Sequence, residues 1–267
     1  MAKLGAHGCD LRELALRILT HEPEKTERTP KRVRVVYNHA FIADATDALL
    51  VWEHPYYPQY YLPEGTLQNC TLSSKQDISH NGKILASVCE LTVAAHDGLD
   101  QVVTDRVLRF HNNTANGALA GRLRLEFGSM DRWLEEDMPI HVHPKDPYKR
   151  VDVLPSQRPI EMKVSGKTVA KTNWAMHLYE TGLPVRYYMP LSSVDQSVLR
   201  KSPRTTKCPY KGEAEYYDVI VDGSRHEGLV WYYRHPVPEC ASIAELVCFY
   251  NEQVDVYLGG HLQRRPQ

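Results

Sequence analysis

The feature that most constrains this chain is that it repeats itself. The stretch "VRVVYNHAFIADATDALLVWEHPYYPQYYLP" (33 to 63), moved along by 127 positions, meets "IEMKVSGKTVAKTNWAMHLYETGLPVRYYMP" (160 to 190) without a gap. Ala43 falls on Ala170, Glu53 on Glu180, Tyr60 and Tyr61 on Tyr187 and Tyr188, and Pro63 on Pro190. A second block, "LAGRLRLEFGSMDRWL" (119 to 134), lies on "IAELVCFYNEQVDVYL" (243 to 258) at an offset of 124, pairing Asp131 with Asp255 and Leu134 with Leu258. Two blocks in the same order at nearly the same spacing identify two homologous domains, over about residues 31–140 and 158–262. Residues 1–30 form an N-terminal extension. Residues 141–157, rich in proline and charge, read as an extended and pinned connector.

Each domain reads as mainly β. Ile160, Met162 and Val164 alternate with Glu161 and Lys163, and Ser165-Gly166 then supplies a two-residue hairpin turn. Asn38-His39 holds the same place in the first domain. Apolar runs at 216–221, 229–233 and 246–250, and the alternation Val254, Val256, Leu258, extend the pattern. Helix is sparse: a turn at the start of "ASIAELVCFY", and a short amphipathic N-terminal helix carrying Leu11, Leu14, Leu16 and Ile18. The expected fold is therefore two tandem domains of small antiparallel sheets behind one short helix.

Composition excludes some partners. With 32 basic residues against 33 acidic, the net charge of −1 offers no basic footprint for nucleic acid or a membrane surface. The first thirty residues lack the apolar core of a signal peptide, and no stretch reaches the roughly 20 apolar residues that span a bilayer. A cytoplasmic chain is expected. The six cysteines include no C-x-x-C pair, so neither a zinc knuckle nor a redox pair is encoded, and most thiols should be small buried hydrophobes. Sixteen tyrosines against four Phe and four Trp suit a half-buried groove as well as a core.

The candidate chemistry lies in the second domain. It carries Cys208-Pro209-Tyr210-Lys211-Gly212, whereas the stretch taken to correspond in the first, "CELTVAAHDGLDQVV", has no such block. Lys211 suits an anion-facing role, and Gly212 lets the backbone come close to a ligand. Cys208 is either a nucleophile, given a base or positive charge to lower its pKa, or a structural residue before proline. Arg200, Lys201, Arg204 and Lys207 read as a solvated loop or an anion-receiving run. Glu180 and Arg186 are either an acid/base and anion-clamp pair or a structural ion pair. Tyr187 and Tyr188 point to opposite faces of a strand, while Trp231 and Tyr233 share one. His141, His143 and Asp146 are three residues of metal-ligating type, but in a connector beside two prolines and with no further histidine at a suggestive spacing. No metal or cofactor site is expected. G-x-G-x-x-G, P-loop, G-x-S-x-G and H-E-x-x-H motifs are absent from the sequence.

Taken together, "YETGLPVRYYMP", "TTKCPYKGEAEYYDV", "LVWYYRHPVPECASIAELVCFYNEQVDVYL" and the connector resemble an uncharacterised family of domains sometimes labelled nucleotidyltransferase-like. The resemblance implies a β-tent fold, two small antiparallel sheets pinned at one side and open at the other. Zinc-stapled relatives of that fold use two C-x-x-C pairs, which this chain lacks, so no metal is implied. What it does imply is a pocket between the sheets, walled by Trp231, Tyr233 and Tyr188 around Cys208, Tyr210 and Lys211. The chain departs from tandem relatives at "YYRHPVPE", where Arg234 and His235 enter the rim and point to an acidic aromatic substrate.

Two functions lead, ahead of a third, a scaffold whose tandem domains mainly bind a protein partner. The first is a cofactor-independent small-molecule enzyme of specialised metabolism, a hydrolase, isomerase or lyase. In it Lys211 and Arg186 hold or polarise an anionic oxygen, and Tyr210, Glu180 or His235 moves the proton. The second is a non-catalytic binding module for a small ligand or a modified side chain. Oligomeric state is not legible.

Overall fold

In the computed structural model, which describes residues 8–266, the repeat becomes two β units divided between Asp146 and Pro147. Residues 1–7 of the expected extension lie outside the described residues. Each unit holds one seven-stranded and one four-stranded sheet, and every ladder is antiparallel. The large sheet of the first unit runs, in spatial order, Lys25–Thr29, Ala48–Trp52, Gln59–Pro63, Arg122–Leu125, Val102–Phe110, Lys83–Val93 and Thr71–His80. That of the second runs Val151–Ser156, Ala175–Glu180, Arg186–Met189, Val247–Phe249, Ser224–Pro236, Gly212–Val221 and Leu199–Cys208. The order is the same strand for strand. The small sheets are built from Met138–Ile140, Arg132–Glu135, Val33–Tyr37 and Ala40–Ala45, and from Lys167–Thr172, Ile160–Val164, Asp255–Leu258 and His261–Leu262.

Turn chemistry follows the sequence. Ser165 and Gly166, at φ of 50° and 79°, close the hairpin between Val164 and Lys167. Asn38 and His39, at 50° and 61°, do the same between Tyr37 and Ala40. Both residues of such a turn need positive φ, which fixes the twist of the flanking strands. One edge strand of each large sheet comes from residues given to the extension and the connector: Lys25–Thr29 pairs with Ala48–Trp52, and Val151–Ser156 with Ala175–Glu180. Edge strands need backbone partners on one side only and carry polar side chains freely, so no apolar alternation announces them.

Between the two sheets of each unit lies a packed core. In the second unit it joins Ile160, Met162 and Val256 of the small sheet to Tyr187, Val230, Tyr232 and Phe249 of the large one. In the first, Val33, Val35 and Trp133 meet Tyr60, Leu123 and Leu125. The opposite face of the first large sheet is covered by the helix Leu11–His21, whose N-cap Asp10 accepts from the Glu13 amide at 3.0 Å. Its buried stripe of Leu11, Leu14, Ala15 and Ile18 packs on Leu49, Val51, Tyr61, Leu108 and Phe110, with Leu16 only partly buried. Among the described residues of the second unit no α-helix covers the same face; the 3₁₀ turn Pro238–Ile243 contributes Cys240 and Ile243 to it instead.

Candidate functional site

Strand alternation decides which residues meet. Tyr188 lies opposite Met176 on one side and Cys248 on the other, and Cys248 opposite Trp231. Trp231 in turn lies opposite Tyr216, and Tyr233 opposite Ala214. Directly opposed residues share a face, so Met176, Leu178, Tyr188, Ala214, Tyr216, Trp231 and Tyr233 form one apolar cluster. That cluster faces away from the small sheet. The expected pocket between the sheets, walled by Trp231, Tyr233 and Tyr188, is therefore corrected: the space behind those residues is filled by Tyr187, Val230 and Phe249, their neighbours of opposite parity.

At the end of this outward face sits the Cys-Pro-Tyr-Lys-Gly block. It is the turn of the hairpin in which Cys208 opposes Gly212. Lys211 directs Nζ onto the Glu180 carboxylate, and both side chains are buried, 9% and 5% exposed. The partly buried Cys208 places Sγ 3.9 Å from the same ammonium. Gly212 adopts φ of 105°, and a Cβ there would lie 3.2 Å from the His235 carbonyl. Its freedom serves the close approach of this turn to the neighbouring strand, where the Val237 amide donates to the Lys211 carbonyl at 3.1 Å, rather than the approach of a ligand. The Tyr210 ring lies under the Lys149 ammonium at 5.9 Å, and its carbonyl accepts from Cys240 Sγ at 3.4 Å.

The strand order also corrects the correspondence between the halves. The hairpin Thr71–His80 and Lys83–Val93 occupies the place of Leu199–Cys208 and Gly212–Val221. The counterpart of the Cys-Pro-Tyr-Lys-Gly block is thus the tight Asn81-Gly82 turn, not the segment from Cys89 to Val103. The first unit keeps the carboxylate and changes its partner. Glu53 is held by Arg124 through bonds of 2.5 and 3.1 Å and accepts from the Tyr61 hydroxyl at 3.0 Å. Both side chains of that ion pair are 2% exposed. Arg124 opposes Tyr61 where Cys248 opposes Tyr188. Burial pushes the Cys248 thiol up to about 12, so it fills the arginine's place as an uncharged group.

Glu180 and Arg186 do not pair. Arg186 makes a bidentate ion pair with Glu252, at 2.8 and 2.7 Å, with the guanidinium stacked over Trp231 at 5.4 Å and Tyr250 at 5.9 Å. Its bonds to Glu252 hold that carboxyl below the usual range. Glu252 and Tyr250 were not among the expected site residues; the repeat could have flagged Glu252, which falls on Gly128 at the offset of the second block. The Trp231 indole donates to the Tyr188 hydroxyl at 3.1 Å, and burial raises the Tyr188 and Tyr233 phenols. His235 and Arg234 are exposed, and Arg234 approaches Glu215 at 3.4 Å. The run from Arg200 to Lys207 is an edge strand, not a loop; Lys201 pairs with Glu215, Lys207 lies 3.7 Å from Glu213, and Arg204 stacks on Tyr216. In the first unit His143 stacks on Tyr57 and Asp146 accepts from the Trp52 indole at 3.2 Å. Among the described residues no group of three or more His, Cys, Asp or Glu converges to hold a metal.

The sequence matches the family described as "Domain of unknown function (DUF427)" twice, over residues 25–136 and 152–260. No curated protein matches the chain. No helix of the described residues is long and apolar enough to cross a membrane.

Proposed function

This chain belongs to the DUF427 family in tandem form, and from that premise we propose that its second half is a cofactor-independent enzyme acting by acid–base chemistry on small anionic or aromatic molecules. The reading rests on one observation. The buried carboxylate common to both halves is paired in the second with Lys211, beside the Cys208 thiol, instead of with an arginine. A guanidinium does not give up its proton, so Glu53–Arg124 can only be structural. An ammonium can. As the ammonium, Lys211 delivers a proton from Nζ to a developing oxyanion or carbanion, and as the neutral amine it takes a proton from another atom of the substrate, while the Glu180 carboxylate holds the side chain in place. Isomerisation, lyase-type elimination and hydrolysis all need such a group.

The charge balance favours a small-molecule substrate over nucleic acid or a membrane, and six free thiols suit a cytoplasmic setting. A role in specialised metabolism is part of the same proposal. The second reading, a non-catalytic binding module, is favoured by the Arg186 guanidinium lying over Trp231 and Tyr250, a rim suited to recognition.

The deciding variant is Lys211→Arg, which keeps the charge and the ion pair of the first half but cannot titrate. Wild type and variant are screened by mass spectrometry against a metabolite library, with thermal shift to report folding and binding. We expect Lys211→Arg to fold and bind, and to lose conversion by about 10²-fold or more. Binding without turnover in the wild type favours the module. Unchanged turnover in the variant removes Lys211 from the chemistry.

A further inference from the structure

The Lys211–Glu180 pair has a neighbour to which acid–base chemistry gives no task. Cys208 ends the strand from which the same turn departs; it is partly buried, and its Sγ lies 3.9 Å from Lys211 Nζ. The matching turn of the first unit is Asn81-Gly82, and the cation on that unit's carboxylate is an arginine in mid-sheet. In the second unit sulfur and ammonium arrive together, carried by one turn.

The other five thiols are placed differently. Cys89, Cys240 and Cys248 are buried, and each directs Sγ at a backbone carbonyl, of Ser87 at 3.7 Å, Tyr210 at 3.4 Å and Phe249 at 3.6 Å. Cys70 does the same toward Ile42 at 3.9 Å. A carbonyl accepts from S–H and so favours the protonated thiol. Burial pushes the thiols of Cys9, Cys70, Cys89 and Cys248 up. The thiolate is the form that attacks an electrophile, and reactive cysteines sit in electropositive, partly exposed surroundings. Cys208 has such surroundings, with an ammonium facing its sulfur.

We propose that Cys208 is a site of reversible oxidation by a hydroperoxide, with Lys211 as the proton donor of that step. The thiolate attacks one peroxide oxygen; an S–O bond forms and the O–O bond breaks. Sulfur gives up two electrons and the peroxide takes them. The leaving hydroxide or alkoxide collects a proton from Nζ and departs as water or alcohol. Lysine then recovers a proton from solvent, which had received the one from the thiol. The product is a sulfenic acid beside Lys211. A low-molecular-weight thiol condenses with it, releasing water, and a second such thiol displaces Cys208 from the mixed disulfide. The oxidised sulfur brings a new acceptor oxygen next to Nζ, where it competes with Glu180 for the ammonium. Loss of turnover on oxidation rests on the acid–base reading above; the modification itself does not.

The test treats the full chain with hydrogen peroxide, traps sulfenic acid with dimedone, and reads the label at each cysteine by peptide mass spectrometry, so it needs no substrate. Label on Cys208 should form about tenfold or more faster than on any of the other five cysteines. Glutathione added before the dimedone should erase it. Lys211→Arg keeps the positive charge but holds its proton, and should slow the labelling of Cys208 about tenfold. Lys211→Met removes the charge as well and should slow it further; should that variant fail to fold, Lys211→Arg carries the comparison. No label on Cys208, label that arises first on another cysteine, or a rate untouched by Lys211→Arg would each overturn the proposal. Cys208 oxidised at the expected rate in a chain that converts no metabolite would leave this proposal standing and remove the acid–base reading.

Discussion

Glu53 and Glu180 stand at the same address in two copies of one fold, yet they are neutralised from different directions. In the first unit the cation comes from the middle of the sheet, where Arg124 opposes Tyr61 on a fully buried strand. In the second that position is Cys248, and the cation arrives from the end of the adjoining hairpin, on the turn that carries Lys211. The surroundings differ to match. The first unit's outer face is mainly aliphatic, with Leu49, Val51 and Leu108 beside Tyr61 and Phe110 under a helix, and its ion pair is 2% exposed. The second unit's outer face is aromatic, with Tyr188, Trp231 and Tyr233, and its pair is slightly more open. A strand position in mid-sheet is rigid and dry, which suits a permanent structural pair. A turn can differ in length without disturbing the ladder, and on the longer one Lys211 reaches the same carboxylate.

This contrast can be broken at its strongest point first. Arg124→Ala leaves Glu53 buried and unpaired, and should cost roughly 3–5 kcal/mol, read as a fall in the denaturant midpoint of the first unit while the second is unmoved. Comparable loss in Lys211→Ala would show the two pairs to be equally structural. Next in size, Leu14→Ala removes part of the helix's buried stripe and should cost about 2–4 kcal/mol, confined to amide protection in the first unit. Spread of that loss into the second unit would deny the separateness of the two outer faces. Gly212→Ala tests the turn that replaced Asn81-Gly82. With φ of 105° and a carbonyl 3.2 Å from the new Cβ, it should cost about 1–3 kcal/mol and detach Lys211 from Glu180, visible as altered Lys211 side-chain NMR shifts.

The smallest effect concerns pH. Burial lowers the pKa of His54 in the first unit and of His177 in the second, with Arg158 adding to the effect at His177. Each Nε2 is buried without a hydrogen-bond partner. A histidine whose folded pKa lies below its unfolded value of about 6.5 takes up its proton more readily in the unfolded chain. Stability is therefore full above that pH and declines as pH falls below it toward the folded values. His177→Phe should flatten this decline in the second unit and leave the first unchanged, measured as hydrogen exchange at pH 7.5 and 5.5. An acid limb that persists in the second unit would assign it to groups other than His177.

Much of the fold was legible because it is local or repeated. The Ser165-Gly166 and Asn38-His39 turns and the alternation through Ile160, Met162 and Val164 are encoded within a few residues. The opposite facing of Tyr187 and Tyr188 also came out as read, because strand parity is strict. Two edge strands were hidden in polar segments that look like linkers. The counterpart of the Cys-Pro-Tyr-Lys-Gly block was misplaced because a three-residue turn, Pro209 to Lys211, and a two-residue turn share no side-chain pattern, only a place in the sheet.

By itself, then, the sequence determined that there are two related β units, where their turns fall, and which side chains share a strand face. Only the tertiary structure decided that Glu180 pairs with Lys211, 31 residues away, and Arg186 with Glu252, 66 residues away. It alone turned the aromatic wall outward. The physical reason is range. Backbone geometry and strand parity act between neighbours, whereas the partner of a buried charge is set by which strands the sheet order brings side by side, and no local pattern records that choice.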